Sequence, residues 1–125
     1  MIVGNVLSAG MGQAPARQAA IFAGLDKSTN CTTINKVCGS GMKAIMLADQ
    51  SIQLGQSEII IAGGMESMSN VPHYLMNSRT GTKMGHIKQV DGMIHDGLWD
   101  VYNQVHMGNH GEECAVKYKI TRQEQ

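Results

Sequence analysis

The run Cys31-Thr32-Thr33-Ile34-Asn35-Lys36-Val37-Cys38-Gly39-Ser40-Gly41-Met42-Lys43-Ala44 decides how this chain folds. Its first half carries β-branched residues, which favour an extended strand. It then passes through small residues into a stretch with helical spacing, which predicts a strand-to-helix turn with Cys38 at its apex. A helix N-terminus presents unpaired backbone N–H groups and positive partial charge. Both favour a thiolate, the nucleophilic form of cysteine, over a thiol. Gly39 and Gly41 lack a Cβ and let a substrate approach the backbone closely. The layout is that of an activated cysteine that accepts an acyl group. As an isolated residue Cys38 has a second reading, a small buried hydrophobe.

Working outward, Met1 to Val6 reads as a short strand and Ser8-Ala9-Gly10-Met11-Gly12 as a flexible turn. Pro15 suits the first turn of a helix that runs through alanine-rich Ala16 to Ala23, with Gly24 as its stop. A second helix is predicted from about Ser40 to Leu54, ended by Gly55, with Met42, Ile45, Met46 and Ile52 near one face. Glu58-Ile59-Ile60-Ile61-Ala62 is a continuous apolar run closed by Gly63-Gly64, which predicts a central strand buried on both faces. The order β-α-β-α-β places the chain in the α/β class, with a largely parallel sheet and helical crossovers. Ligands in such folds gather beyond the carboxyl ends of the strands, where Cys38 falls. From Asn70 to Gly97 periodicity is weak, and Gly81, Gly85 and Gly92 among Ser78, Thr80 and Thr82 predict a long loop excursion. Met107 to Ile120 reads as a further helix, with Ala115, Val116 and Ile120 on its buried side.

The bulk properties exclude several classes. Ten basic and ten acidic side chains balance, so no field attracts a polyanion. Aromatic content of 4% leaves few platforms for stacked bases. Three cysteines cannot pair completely, which points to a reducing compartment. No stretch is long and apolar enough for a membrane-spanning helix, and Met1-Ile2-Val3 does not open like a signal or transit peptide. Partners are therefore expected to include neither nucleic acid nor membrane. The first residues start inside a strand. Thr121-Arg122-Gln123-Glu124 has the form of a capping box, followed by Gln125 alone. Both ends predict a piece of a longer protein.

His106, His110 and Cys114 fall at i, i+4 and i+8, but a zinc site wants four ligands at tetrahedral spacing, so no metal is expected. The ten methionines read as fillers of irregular apolar gaps. Gly10-Met11-Gly12 and Gly39-Ser40-Gly41 lack both dinucleotide and phosphate-loop spacing, which argues against a nucleotide-dependent enzyme. Glu66 is expected to be a buried, hydrogen-bonded support for the cysteine loop.

Asn35-Lys36-Val37-Cys38-Gly39-Ser40-Gly41-Met42-Lys43-Ala44 resembles the acyl-enzyme signature of the thiolase family, biosynthetic type. Gly63-Gly64-Met65-Glu66-Ser67-Met68-Ser69, His106-Met107-Gly108 and Gly12-Gln13-Ala14-Pro15-Ala16-Arg17-Gln18-Ala19 are similar to further thiolase blocks, in family order. The resemblance covers essentially the whole chain and implies a thiolase-like layered fold, a mostly parallel mixed sheet covered by helices. It is incomplete here: residues 1–125 correspond to part of the N-terminal domain, including a loop excursion at about 70–107. In the family that excursion carries tetramer contacts and a basic stretch near coenzyme A, supplied here by Arg79, Lys83, His86 and Lys88. Scattered basic residues on a loop also read as simply solvated.

The resemblance further implies an acyltransferase joining two acetyl-coenzyme A molecules into acetoacetyl-coenzyme A and coenzyme A, reversibly, through an acyl-thioester on Cys38. Splitting one hard step into two is the benefit of such an intermediate, and the Cys38 N–H is a natural half of an oxyanion hole. Met107 would shape the acyl pocket, His106 would lie close to coenzyme A, and Leu98 would form another apolar wall. Leu98 and Met107 have a second reading as ordinary core. No cofactor is expected, since the coenzyme A thioester is itself the substrate. The full-length protein would be a homo-oligomer, a tetramer by family habit. The residues leave the compartment open; a mitochondrial or cytoplasmic one is expected rather than secretion.

The family's activating histidine, in a Gly-His-Pro context, and its second cysteine, in a Cys-Gly-Gly-Gly context, do not occur in these residues. Gly111-Glu112-Glu113 also replaces the usual Ala-Glu-Asn. The chain alone is therefore expected to lack turnover. The alternatives are another condensing enzyme of the same superfamily, a non-catalytic piece that binds full-length subunits, or a redox or metal sensor using Cys31, Cys38 and Cys114.

Overall fold

A computed structural model describes all of residues 1–125. The chain forms two compact units, Met1–Pro72 and His73–Gln125.

The first unit follows the predicted alternation. Strand β1 (Ile2–Gly4) leads to helix α1 (Pro15–Phe22), strand β2 (Thr32–Ile34), helix α2 (Ser40–Gln53) and strand β3 (Ala62–Gly64). β1 pairs in parallel with β2 on one side, Ile2 opposite Thr32, and with β3 on the other, Ile2 opposite Ala62. α1 packs on β2, and α2 on β1 and β3. Pro15 opens α1, where its missing N–H costs nothing. Both helices stop at a left-handed glycine: Gly24 at φ +83° and Gly55 at φ +68°. In each case the following residue reaches back into the last turn, Leu25 N–H to Ala20 C=O at 3.0 Å and Gln56 N–H to Ser51 C=O at 2.9 Å.

Two expectations are corrected here. The apolar run Glu58–Ala62 is not a central strand. Pairing begins at Ala62, Ile59 is 88% exposed, and β3 lies at an edge with β1 in the middle. The α2 crossover carries the chain to the far side of β1 from β2, so β1 takes the central place although its sequence is short and unremarkable in pattern. The apolar face of α2 is also not the buried one. Met42 is 71% exposed and Ile45, Met46 and Ile52 are exposed too, whereas Ser40, Ala44 and Ala48 are buried. The reason is steric. A Cβ on Gly4 would lie 2.5 Å from the Ser40 carbonyl carbon, and one on Gly64 would lie 3.3 Å from Gly41 Cα. Backbones this close admit only the small-residue stripe between them. The core is accordingly built from Val3, Leu7, Ala16, Ala20, Ala44 and Ala48.

The second unit is made of short antiparallel ribbons and one helix. Strand β4 (His73–Leu75) pairs with β5 (Gln89–Asp91), Tyr74 opposite Val90. A π-helical turn, Ile94–Leu98, leads into β6 (Trp99–Asp100), which pairs with β7 (Val105–His106), Trp99 opposite His106. Helix α3 (Met107–Tyr118) follows at once. Segments of two or three residues are too short to show alternation, which is why 70–97 reads as loop in the sequence. On α3 Ala115 is half-buried, but Val116 is 78% exposed and Ile120 is exposed, so the predicted buried side is reduced to one small residue. Thr121 and Glu124 do form the reciprocal capping-box bonds, Thr121 N–H to Glu124 Oε2 at 2.7 Å and Glu124 N–H to Thr121 Oγ1 at 3.3 Å.

Candidate active site

Cys38 occupies the turn between β2 and α2 and is exposed. The turn is tied by its own side chains. Asn35 Oδ1 accepts from the Val37 N–H at 2.9 Å. The buried Ser40 hydroxyl accepts from the Lys36 N–H at 2.8 Å and donates to the Val37 carbonyl at 2.6 Å. The chain is thereby held with Val37 at φ +50°. A β-branched residue in the left-handed region is strained by about 1–3 kcal/mol. That strain presents Cys38 at the head of α2, whose N-cap residue Gly39 makes no side-chain capping bond. The Cys38 N–H makes no hydrogen bond within the chain. Sequence reasoning missed the strain, because a left-handed turn normally announces itself with glycine or asparagine and position 37 is valine.

A cleft of about 280 Å³ opens at this point, walled by Gly4, Val37, Cys38, Gly41, Gly64 and Glu66. Glycines meet there at the carboxyl ends of β1 and β3 and the amino end of α2. Gly41 therefore serves the close approach of α2 to β3, as its Cβ position 3.4 Å from Gly64 N requires. A Cβ on Gly39 would meet only ordinary contacts.

Glu66 is exposed rather than buried, and it braces the chain after β1, not the cysteine turn. Its carboxylate accepts from Asn5 Nδ2 at 3.0 Å, the Val6 N–H at 2.9 Å and the Leu7 N–H at 2.9 Å. The reason is geometric: β3 runs parallel beside β1, so the residues that follow the two strands emerge together. Asn5, which no motif or periodicity singles out, is buried, also donates to Met65 C=O at 3.1 Å, and leaves its Oδ1 without a partner.

Leu98, His106 and Met107 belong to the second unit, and the β6–β7 ribbon brings them together. Leu98 immediately precedes Trp99, Met107 immediately follows His106, and Trp99 and His106 are paired. Leu98 is half-buried, and His106 and Met107 are exposed. His106 caps α3, its Nδ1 accepting from the Gly108 N–H at 3.0 Å. A separate hollow of about 380 Å³ in this unit is walled by Lys88, His95, Trp99 and Gln104, and not by those three residues. Arg79, Lys83, His86 and Lys88 all lie exposed on the connection between β4 and β5, and none forms an ion pair.

Hydrogen bonds to carboxylates shape the electrostatics of this unit. Tyr74 donates to Asp96, which pushes the phenol up to about 12. Burial works to raise the Asp96 carboxyl, but bonds from His95 at 2.7 Å and from Tyr74 outweigh it and hold the group low. No group of three His, Cys, Asp or Glu side chains is arranged to hold a metal.

A family model for the thiolase N-terminal domain matches residues 1–125. The chain belongs to the thiolase family. Acetyl-CoA acetyltransferase 1 of Arabidopsis thaliana is 65% identical over 98% of this chain and 29% of its own length. The acetyl-CoA acetyltransferase of Cupriavidus necator is 59% identical over 100% of this chain and 32% of its own. The solved structure of Acat5 thiolase from Ascaris suum, in complex with coenzyme A, superposes with a TM-score of 0.88 at 46% identity, over 98% of this chain and 31% of that one. The chain thus spans about a third of its relatives' length. Its fold is an incomplete α/β thiolase fold, a parallel sheet with helices.

Proposed function

We propose that this chain supplies the acyl-accepting part of an acetyl-CoA acetyltransferase, with Cys38 as the nucleophile. The observation that carries the reading is the exposed thiol on a strained turn at the uncapped head of α2, opening into a glycine-walled cleft. The Cys38 thiolate attacks the carbonyl of acetyl-coenzyme A; the C–S bond to coenzyme A breaks and coenzyme A leaves as the thiol. The Cys38 N–H and the positive end of α2 face the developing oxyanion. A second acetyl-coenzyme A, deprotonated at its α-carbon, then attacks the Cys38 thioester, and acetoacetyl-coenzyme A departs as the thiolate is restored. Leu98, His106 and Met107 contact the acyl and pantetheine parts of the substrate. No cofactor takes part.

The proton transfers of both steps need the histidine and second cysteine found in Gly-His-Pro and Cys-Gly-Gly-Gly contexts, which these residues lack. The chain alone therefore carries no turnover, and the working protein is a homo-oligomer, a tetramer. Two relatives are named as mitochondrial, those of Aspergillus fumigatus and Gibberella zeae; a mitochondrial or cytoplasmic site is the reading for this chain. No helix is long and apolar enough to cross a membrane.

The test is to join the chain to the remaining segment of a relative and treat it with acetyl-coenzyme A. Intact-mass and peptide analysis should find one acetyl group, on Cys38. Cys38→Ser should remove it and lower acetoacetyl-coenzyme A thiolysis by at least about 10³-fold. Acetylation elsewhere, or thiolysis that survives the substitution, would sink the assignment.

A further inference from the structure

His106 closes β7, so of the His106, His110 and Cys114 series only His110 and Cys114 lie on α3, and His110 is turned to another task. Its Nε2 lies 2.8 Å from Asp100 Oδ2 and its Nδ1 3.3 Å from Glu113 Oε2. Asp100 is the hub of the second unit. Its Oδ1 accepts from the Tyr102 N–H at 2.8 Å and the Asn103 N–H at 3.2 Å, and its Oδ2 accepts from Asn103 Nδ2 at 2.7 Å as well as from His110. The Asp100 side chain is 11% exposed and that of His110 32%, so the pair is shielded on one side only. One carboxylate therefore folds the Val101–Gln104 turn and grips α3 one turn in from its start. Between those two anchor points the chain runs through β7 into His106 and Met107. The pair closes a ring around them.

We infer that His110 is a positioning residue: held on Asp100 while its imidazole is protonated, it fixes the direction in which His106 and Met107 leave the β6–β7 ribbon. The pairing stands on geometry alone, while its consequence for acyl-coenzyme A rests on the reading of His106 and Met107 as substrate contacts. The amino end of a helix disfavours a cation, so the attraction must come from outside the helix, and Asp100 supplies it. The groups facing His110 are Asp100 from β6 and Glu113 from α3 itself; the titratable group of β7, His106, has its Nδ1 occupied by the Gly108 N–H. Asp100 raises the His110 imidazole, with Glu113 second. The Asn103 side chain, the Tyr102 N–H and His110 hold the Asp100 carboxyl well below the usual carboxylate range.

A histidine raised by folding contributes fully below its ordinary value, about 6.5, and loses that contribution as pH climbs through the raised one. A carboxylate lowered by folding contributes above its ordinary value, about 3.9, and loses that only far below it. The grip is full from about pH 4 to about pH 6.5 and relaxes above.

The test follows histidine and methionine methyl resonances of the chain, labelled with ¹³C, through a pH titration. His110 should titrate above about 6.5, and the Met107 methyl should move with the same midpoint. Asp100→Asn should return His110 toward about 6.5 and abolish the Met107 response. His110→Asn keeps a donor for Asp100 but cannot titrate, so Met107 should lose the movement that shares the His110 midpoint; this variant carries the test alone if Asp100→Asn does not fold. A Met107 methyl indifferent to His110, or a His110 midpoint unmoved by Asp100→Asn, overturns the inference. Acetyl-coenzyme A is added last as a separate probe. Failure to perturb Met107 would count against its role as a substrate contact and leave the Asp100–His110 coupling as measured.

Discussion

The Met1–Pro72 unit and the His73–Gln125 unit are held together by different physics. Every buried apolar side chain, from Val3 to Ala48, lies in the first. Its sheet and helices meet backbone to backbone at Gly4, Gly41 and Gly64. The second unit has no buried apolar side chain; its ribbons are bound through carboxylates, Asp96 gathering Tyr74 and His95, and Asp100 gathering Asn103, Tyr102 and His110. Steric fit is indifferent to pH and intolerant of added atoms. Hydrogen-bonded charge behaves the other way round, since it accepts bulk at its edges and answers to protons. The strained turn at Val37 that carries Cys38, the proposed nucleophile, belongs to the first kind of structure, and the residues proposed for substrate contact belong to the second.

The largest break in this contrast is expected at Gly4. A Cβ there has no room beside Ser40, so Gly4→Val should cost about 3 kcal/mol or more through overpacking. Thermal unfolding and hydrogen exchange should show the loss in residues 1–72 first. Protection of those amides at wild-type level would refute the steric account. Next comes Glu66→Ala. It strands the donors of Asn5, Val6 and Leu7, for roughly 1–3 kcal/mol, and Glu66→Gln should recover part of the loss by keeping one acceptor.

A smaller effect belongs to the second unit. Tyr74→Phe removes one bond to Asp96 and should cost about 1 kcal/mol. The Tyr74 phenol is raised by folding to about 12. Its contribution is therefore complete below the ordinary tyrosine value, about 10, and disappears as pH rises to the raised one. Absorbance at the tyrosinate band should show one phenol fewer resisting alkali in the variant. The smallest effect is expected on the exposed face of α2: Met42→Gln and Ile45→Gln should each change the unfolding midpoint by less than about 0.5 kcal/mol in free-energy terms. A loss of several kcal/mol would restore the face that the sequence pattern had favoured.

Much of the first unit could be read in advance because its signals are local. Pro15, Gly24 and Gly55 mark helix ends through φ preference alone, and β-branched residues before a small-residue turn mark the passage into α2. The position of Cys38 at that turn was legible for the same reason. Other features depend on partners distant in sequence. Which face of α2 is buried follows from the absence of a Cβ on Gly4, thirty-odd positions earlier. Glu66 was expected beneath the cysteine turn, yet it faces the residues after β1 because two parallel strands end side by side. The ribbons of the second unit were invisible because three paired residues leave no periodic trace.

Composition, breaking residues and the surroundings of Cys38 determined by themselves the α/β order, the helix ends, the place of the thiol at a strand-to-helix turn and the family resemblance. Tertiary structure alone decided that β1 is the central strand, that alanine and serine rather than methionine and isoleucine lie against the sheet, that Val37 is strained, and that Asp100 holds His110. Propensities act within a few residues along the chain. Strand order, close approach and carboxylate partners are settled by which backbones meet in space.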